Sequence, residues 1–252
     1  MFCLSQFFAS AAGSQLRRWE ANQLDILLKG LHGEAALQIG VPYGPVMRSA
    51  PHRFKVVSTV TSEIKNIRTS SSLLRQSFTD FPFRDDSFDL ILLVHVLERS
   101  NDFEQTLNET LRILAPEGRV VILGLNPLGP WWLRKNTRLF NDIYQPVSVD
   151  QIKKTLGDRA VIDRGRFGVY SPSLSDNPNR LMSWSWCEKA GDRWWPALAN
   201  GFMLSAVKKV HSGRLVGRLY SSDVIGKNWA GTAAARTTVT LNIGPSTDHR
   251  DS

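Results

Sequence analysis

His95 and Glu98 stand three residues apart just past Leu90–Val94, five apolar residues in a row. A histidine at the end of a buried strand could touch a bound cofactor or take a proton from a substrate. The same pair also suits a helix start, where backbone groups satisfy both side chains. The spacing leaves both readings open. A second candidate set follows the apolar run 118–125: Asn126-Pro127-Leu128-Gly129-Pro130-Trp131-Trp132-Leu133-Arg134. Trp131 and Trp132 suit stacking on a flat substrate or walling a pocket. Asn126 suits orienting an acceptor atom, and Arg134 closes the same candidate substrate loop. Packing at a loop–helix junction is the competing account, stronger for Trp132 than for both tryptophans together. Elsewhere no compact catalytic signature is present. His32, His52, His95, His211 and His249 lack metal-ligand spacing, and no Ser-His-Asp set, reactive-cysteine context or phosphate loop occurs. Asp85, Asp86 and Asp89 flank the start of the apolar run and read as turn and cap chemistry.

These residues need a scaffold, and the chain alternates short apolar runs with helical patterns. Runs at 35–40, 53–58, 88–96, 118–125, 160–170 and 201–210 read as strands. Leu90–Val94 suits a central strand covered on both faces. Residues 101–115 form an amphipathic helix, with Asn101 as cap and Phe103, Leu107, Leu111 and Leu114 on one face. SVDQIKKTLG (148–157) is a helix with Ser148 as cap, Gln151 in capping-box position and Gly157 as stop. Near the start, SQLRRWEANQLDILLKGL predicts a helix capped by Ser14 and ended by Gly30 or Gly33. Strands alternating with helices imply an α/β fold, a mostly parallel sheet with helices on both faces. Ligands of such sheets bind at the carboxyl ends of the strands.

Composition narrows the function classes. Cys3 and Cys187 are too few for a disulfide framework or a cysteine-rich zinc module. No apolar stretch reaches the ~20 residues of a membrane span, so no transmembrane segment is expected. The opening MFCLSQFFASAAG places its arginines after the apolar run, the wrong order for a secretory signal, and is expected to pack on the domain. The formal net charge is +8. Residues 208–252 hold seven basic and three acidic residues, so half the excess sits there. No basic run approaches the length typical of a nucleic-acid patch, which disfavours nucleic acid as a partner.

The stretch from Phe81 to Pro127 resembles the class I S-adenosylmethionine-dependent methyltransferases, and more narrowly their type 11 group. The residues that carry the likeness are Phe81-Pro82-Phe83, Asp86-Ser87-Phe88-Asp89, His95-Val96-Leu97-Glu98, Leu111-Arg112-Ile113-Leu114 and Pro116-Glu117-Gly118. The opening FFASAAGSQLRRWE and the loop NPLGPWWLR also look like a small bacterial set within that group. The resemblance implies a Rossmann-like seven-stranded sheet whose last strand is antiparallel, S-adenosyl-L-methionine as cofactor, and methyl transfer to an unidentified small-molecule or macromolecular acceptor. Pattern and composition predict an N-terminal helical segment (1–33) and a basic disordered tail (211–252), and the resemblance implies a methyltransferase-like domain between them (34–210) with an aromatic-rich insertion (171–198). The resemblance places the protein in the cytoplasm.

By the same resemblance, Gly40 and Gly44 lie in the glycine turn after the first strand, Ser58 ends the second strand, Ser77 stands before the Phe81-Pro82-Phe83 segment, and His95 ends the central strand. These five are the cofactor-binding candidates. His95 and Asn126 are the catalytic candidates, and Trp131 and Arg134 the substrate-binding ones. The chain departs from the family pattern in three places. Pro42 and Tyr43 interrupt the glycine turn, Val57-Ser58-Thr59 carries no acid, and Ser77 replaces an aspartate. These departures support the alternative, a methyltransferase fold with weak or no catalysis that acts as an interaction module. The aromatic cover Trp184, Trp186, Trp194 and Trp195 reads mainly as small-core packing.

Overall fold

In the computed structural model, the structure describes residues 4–41, 51–59, 72–75, 78–133, 145–174 and 185–210. The apolar run forms the central strand β4 (Phe88–Val94). Its side chains alternate across the sheet, as extended backbone requires. Leu90, Leu92 and Val94 enter one core, Ile91 and Leu93 the other. Both faces are therefore buried, and each large side chain removed from water stabilises by ~1.5–3 kcal/mol.

Around β4 lie β1 (Gly33–Gly40), β2 (His52–Thr59), β3 (Ser72–Arg75), β5 (Leu114–Leu125), β6 (Ala160–Gly168) and β7 (Gly201–Lys208). The order across the sheet is β3-β2-β1-β4-β5-β7-β6. Six long strands and the four-residue edge strand β3 make up the sheet. The first five in this order run parallel, and β7 is antiparallel to both β5 and β6. The sequence reading lacked β3, whose Ser-Leu-Leu-Arg offers too short an apolar signal. It also ran the central strand to residue 96, whereas β4 stops at Val94 because His95 turns the chain with φ 53°.

One face of the sheet is covered by α1 (Leu4–Ala9) and α2 (Ala11–Leu28), the other by α3 (Phe103–Ile113) and α5 (Val149–Leu156). The short helix α4 (Pro130–Leu133) follows β5, and α6 (Ser185–Trp194) precedes β7. Phe7 and Phe8 of α1 are buried, so the opening segment packs on the domain as expected.

Two caps differ from the sequence reading. Ser10, not Ser14, caps α2 by accepting from the Gly13 N–H, because α1 ends at Ala9 and the chain re-enters a helix at once. A Cβ on Gly13 would lie 2.1 Å from the Phe7 carbonyl oxygen, so only glycine lets the two helices meet. Asp102, not Asn101, caps α3 by accepting from Gln105 N–H. Ser100 Oγ accepts the Asp102 N–H and so moves the start one residue on. Ser148, Gln151 and Gly157 bound α5 as predicted.

The three aspartates, read from the sequence as turn and cap residues, instead tie distant segments together. Asp89 accepts the backbone N–H groups of Glu34 and Ala35, aligning the start of β1. Asp85 pairs with Arg112, and Asp86 with Lys208. Arg112 also donates to the carbonyls of Phe81 and Phe83, which pins the segment before β4 onto α3. The expected tail 211–252 lies outside the described residues, as do Gly44, Ser77 and Arg134.

Candidate functional site

The parallel sheet grows from β1 towards β2 and β3 on one side, and from β4 towards β5 on the other. Between the carboxyl ends of β1 and β4 the winding reverses, the position at which ligands of such folds bind. The structure brings Gly40, Ser58, His95 and Asn126 to this edge. Gly40 ends β1 with φ 104°, and an added Cβ would sit 2.1 Å from the Val94 carbonyl oxygen. That carbonyl also accepts the Val41 N–H at 3.1 Å. The glycine therefore lets the backbone press against β4. Ser58 pairs in register with Ile39 at the end of β2, and its side chain lies outside the described residues.

His95 is wholly buried. Its Nδ1 lies 2.7 Å from Glu98 Oε1 and its Nε2 2.9 Å from Glu20 Oε1. Glu20 comes from α2 and is itself fully buried. Burial alone would depress the histidine pKa. The charges and hydrogen bonds of Glu20 and Glu98 outweigh it and push the value up to about 10. At neutral pH His95 is thus an imidazolium that donates from both nitrogens. It has no lone pair to take a proton from a substrate, so the base role considered for it does not fit. Phe8 packs on the imidazole, with ring centroids 4.9 Å apart. Glu98 Oε1 also accepts the Leu125 N–H at 3.2 Å, which carries the link to the end of β5.

Asn126 has a structural task instead of aiming at an acceptor. Its Nδ2 donates to the carbonyls of Ala197 and Ala199, both at 2.8 Å, and its Oδ1 accepts the Leu128 N–H. Asn200 mirrors it. Its Nδ2 donates to Val169 and Ser171 carbonyls and its Oδ1 accepts the Trp131 N–H, each at 2.8 Å. Trp131 is 2% exposed and packs edge-on to Phe7, with centroids 5.5 Å apart. It is a core residue under α1, not an open stacking surface. Conversely, Trp194 and Trp195 are 68% and 56% exposed, where packing was expected. Trp184 and the side chain of Trp186 lie outside the described residues.

Sequence reasoning missed Glu20, Asn200 and Glu188. Glu188 bonds the Tyr170 and Ser171 N–H groups and Gln15 Nε2, and burial raises its pKa. A signal for Glu20 exists. Leu16, Glu20 and Leu24 recur every four residues, so an acid occupies the apolar stripe of α2.

Residues 37–122, from β1 into β5, match a family described as a methyltransferase domain. The chain has the class I methyltransferase fold. The match covers about a third of the chain and takes in β1 and β4, the two strands between which the winding reverses. A search of curated protein sequences gives no match. Solved structures share the fold at low identity. A chain from the Haloferax volcanii complex of the Trm112 methyltransferase activator is 16% identical, with a TM-score of 0.56 over 79% of this chain and 93% of that one. A SAM-dependent methyltransferase from Archaeoglobus fulgidus is 14% identical, with a TM-score of 0.55 over 80% and 96%. An S-adenosylmethionine-dependent methyltransferase from Mesorhizobium loti is 14% identical, with a TM-score of 0.54 over 74% and 96%. No described helix is long and apolar enough to cross a membrane. Among the described residues no cluster of three His, Cys, Asp or Glu side chains is arranged to hold a metal ion.

Proposed function

We propose that this chain is an S-adenosyl-L-methionine-dependent methyltransferase acting on a small-molecule or macromolecular acceptor. The match of residues 37–122 to a methyltransferase domain carries this reading. The Glu20–His95–Glu98 group lies buried at the tip of β4, at the edge where this fold class binds its ligands. Bound there, the cofactor supplies an already activated methyl group, so the protein's task is alignment and exclusion of water. Phe7, Phe8 and Trp131 are buried beside His95 and the loop after β5. We assign cofactor contact to the backbone at Gly40 and Gly44 and to Ser58 and Ser77. His95 acts through its charge, and Arg134 is assigned to acceptor binding. Cytoplasmic location belongs to the same reading.

One observation favours the alternative of a non-catalytic interaction module. His95 and Asn126, the polar catalytic candidates, both spend their hydrogen bonds within the fold. Calorimetry and thermal melting with millimolar S-adenosylmethionine, followed by transfer of labelled methyl groups to cell-extract fractions, separate the readings. Binding with transfer is expected. Binding without transfer supports the module, and neither heat nor a raised Tm sinks the cofactor assignment.

A further inference from the structure

The end of α6 and the turn that follows it are held by hydrogen bonds, yet they turn large apolar side chains to solvent. The Trp195 N–H donates to the Gly191 carbonyl and the Leu198 N–H to the Trp195 carbonyl, both at 2.9 Å. Asn126 Nδ2 donates to the carbonyls on either side of Leu198, those of Ala197 and Ala199, and Asn126 Oδ1 accepts the Leu128 N–H. One amide thus pins Leu128 and Leu198 to the same edge, beside the carboxyl end of β5. Trp194 is 68% exposed, Trp195 56%, Leu198 48% and Leu128 59%. The other exposed large apolar side chains among the described residues lie singly: Ile26 on α2, Phe54 on β2, Val161 on β6 and Val210 after β7. Single ones are ordinary on a surface, whereas a contiguous group marks a docking site.

The chemistry around the patch says what covers it. Residues 126–133 and 193–200 contain no acid. Arg193 is exposed, and its guanidinium stands over the Trp194 ring, 5.9 Å from the centroid. Arg164 and Arg166 are exposed on β6, the edge strand that both α6 and the 196–198 turn contact. The acids nearby are engaged with the fold: Glu188 accepts the Tyr170 and Ser171 N–H groups, and Asp163 pairs with Arg119. Lys189 and Asp192 offset each other in charge. Tryptophan beside arginine is the composition of a membrane–water interface, where the ring sits at headgroup depth and the guanidinium meets lipid phosphate. Four side chains fall well short of the roughly 20–30 residues a side that a stable protein–protein interface buries. A bilayer takes up a few protruding rings without a matching shape.

We propose that Trp194, Trp195, Leu198 and Leu128 dock the protein on an anionic lipid surface, with Arg193 as the headgroup contact. The chain lies on the bilayer by this edge, and no described helix is long and apolar enough to cross it. The proposal goes beyond the methyl-transfer reading and stands without it.

Full-chain protein is sedimented, without cofactor, with vesicles of phosphatidylcholine alone and of phosphatidylcholine and phosphatidylglycerol in equal parts. Failure here therefore leaves the methyltransferase reading untouched. Wild type is expected to bind the mixed vesicles at about 0.1 M salt, and to bind less at about 1 M salt or on the neutral vesicles. Trp194→Ala with Trp195→Ala should weaken binding about tenfold or more, and Arg193→Glu about threefold or more. No binding by wild type overturns the proposal. So does equal binding by wild type and the double tryptophan variant, because basic charge elsewhere is then the anchor. A wild-type dimer that the double variant loses, without vesicle binding, overturns it in favour of a second copy on the patch. If the double variant gives no cooperative melt, brominated lipid in the mixed vesicles decides: quenching of wild-type tryptophan fluorescence supports insertion, and unchanged fluorescence overturns it.

Discussion

At the tip of β4 an imidazolium between two carboxylates ties α2 to the end of β5, whereas beyond β5 two neutral amides do comparable work. Asn126 and Asn200 each use both their NH2 and their carbonyl oxygen on backbone groups of the loops at the edge. Both junctions are buried and both satisfy polar backbone that would otherwise be stranded. They differ in how they respond to pH. An amide hydrogen bond acts on its partner atom and does not titrate. The Glu20–His95–Glu98 group answers to pH. The protein thus braces the loop after β5 with neutral amides and places ionisable side chains at the tip of β4.

The largest effect should come from breaking the charged junction. His95→Leu leaves two buried carboxylates without their cation and is expected to cost about 3–5 kcal/mol, read from urea unfolding. Soluble protein with unchanged stability would show that the carboxylates are not held as described. The next largest effect is a pH dependence. His95 has its pKa raised from 6.5 to about 10, so its stabilisation is complete below pH 6.5 and is lost as pH climbs towards 10. Tm should fall across that window in wild type and fall less in Glu20→Gln, which has lost one of the two carboxylates that raise the value. Equal slopes would erase the contrast between the junctions.

Asn200→Ala strands the Trp131 N–H and the Ser171 carbonyl, while the Val169 carbonyl keeps the backbone N–H of residue 200, and is expected to cost about 2–3 kcal/mol with no change in pH slope. A changed slope would mean that the two junctions are coupled. The smallest effect belongs to the surface. Asp85 is 72% exposed, so Asp85→Asn should change unfolding free energy by under about 0.5 kcal/mol and leave both junctions intact.

Particular residues show where sequence reading reached and where it stopped. Leu90–Val94 announced a strand buried on both faces because five apolar residues in a row have no other stable placement beside polar helices. Ser148 and Gln151 announced a capping box because that motif is local. His95 and Glu98 were legible as a pair by their spacing, but the third member, Glu20, is 75 residues from the histidine. Its only trace was an acid in an apolar stripe. Trp131 was misread as a substrate surface because a tryptophan in a loop looks alike whether α1 covers it or not. β3 was missed because four residues carry too little pattern.

The sequence by itself determined the alternation of strands and helices, the central strand, the capping box of α5 and the resemblance to methyltransferases, since all of these are written in local periodicity and short motifs. Only the tertiary structure decided that Glu20 and Glu98 flank His95, that Asn126 is a brace for the loops beside it, and that Phe7 and Phe8 of α1 pack on Trp131 and His95. Burial and long-range pairing set protonation and hydrogen-bond use, and neither exists until distant segments of the chain have been brought together.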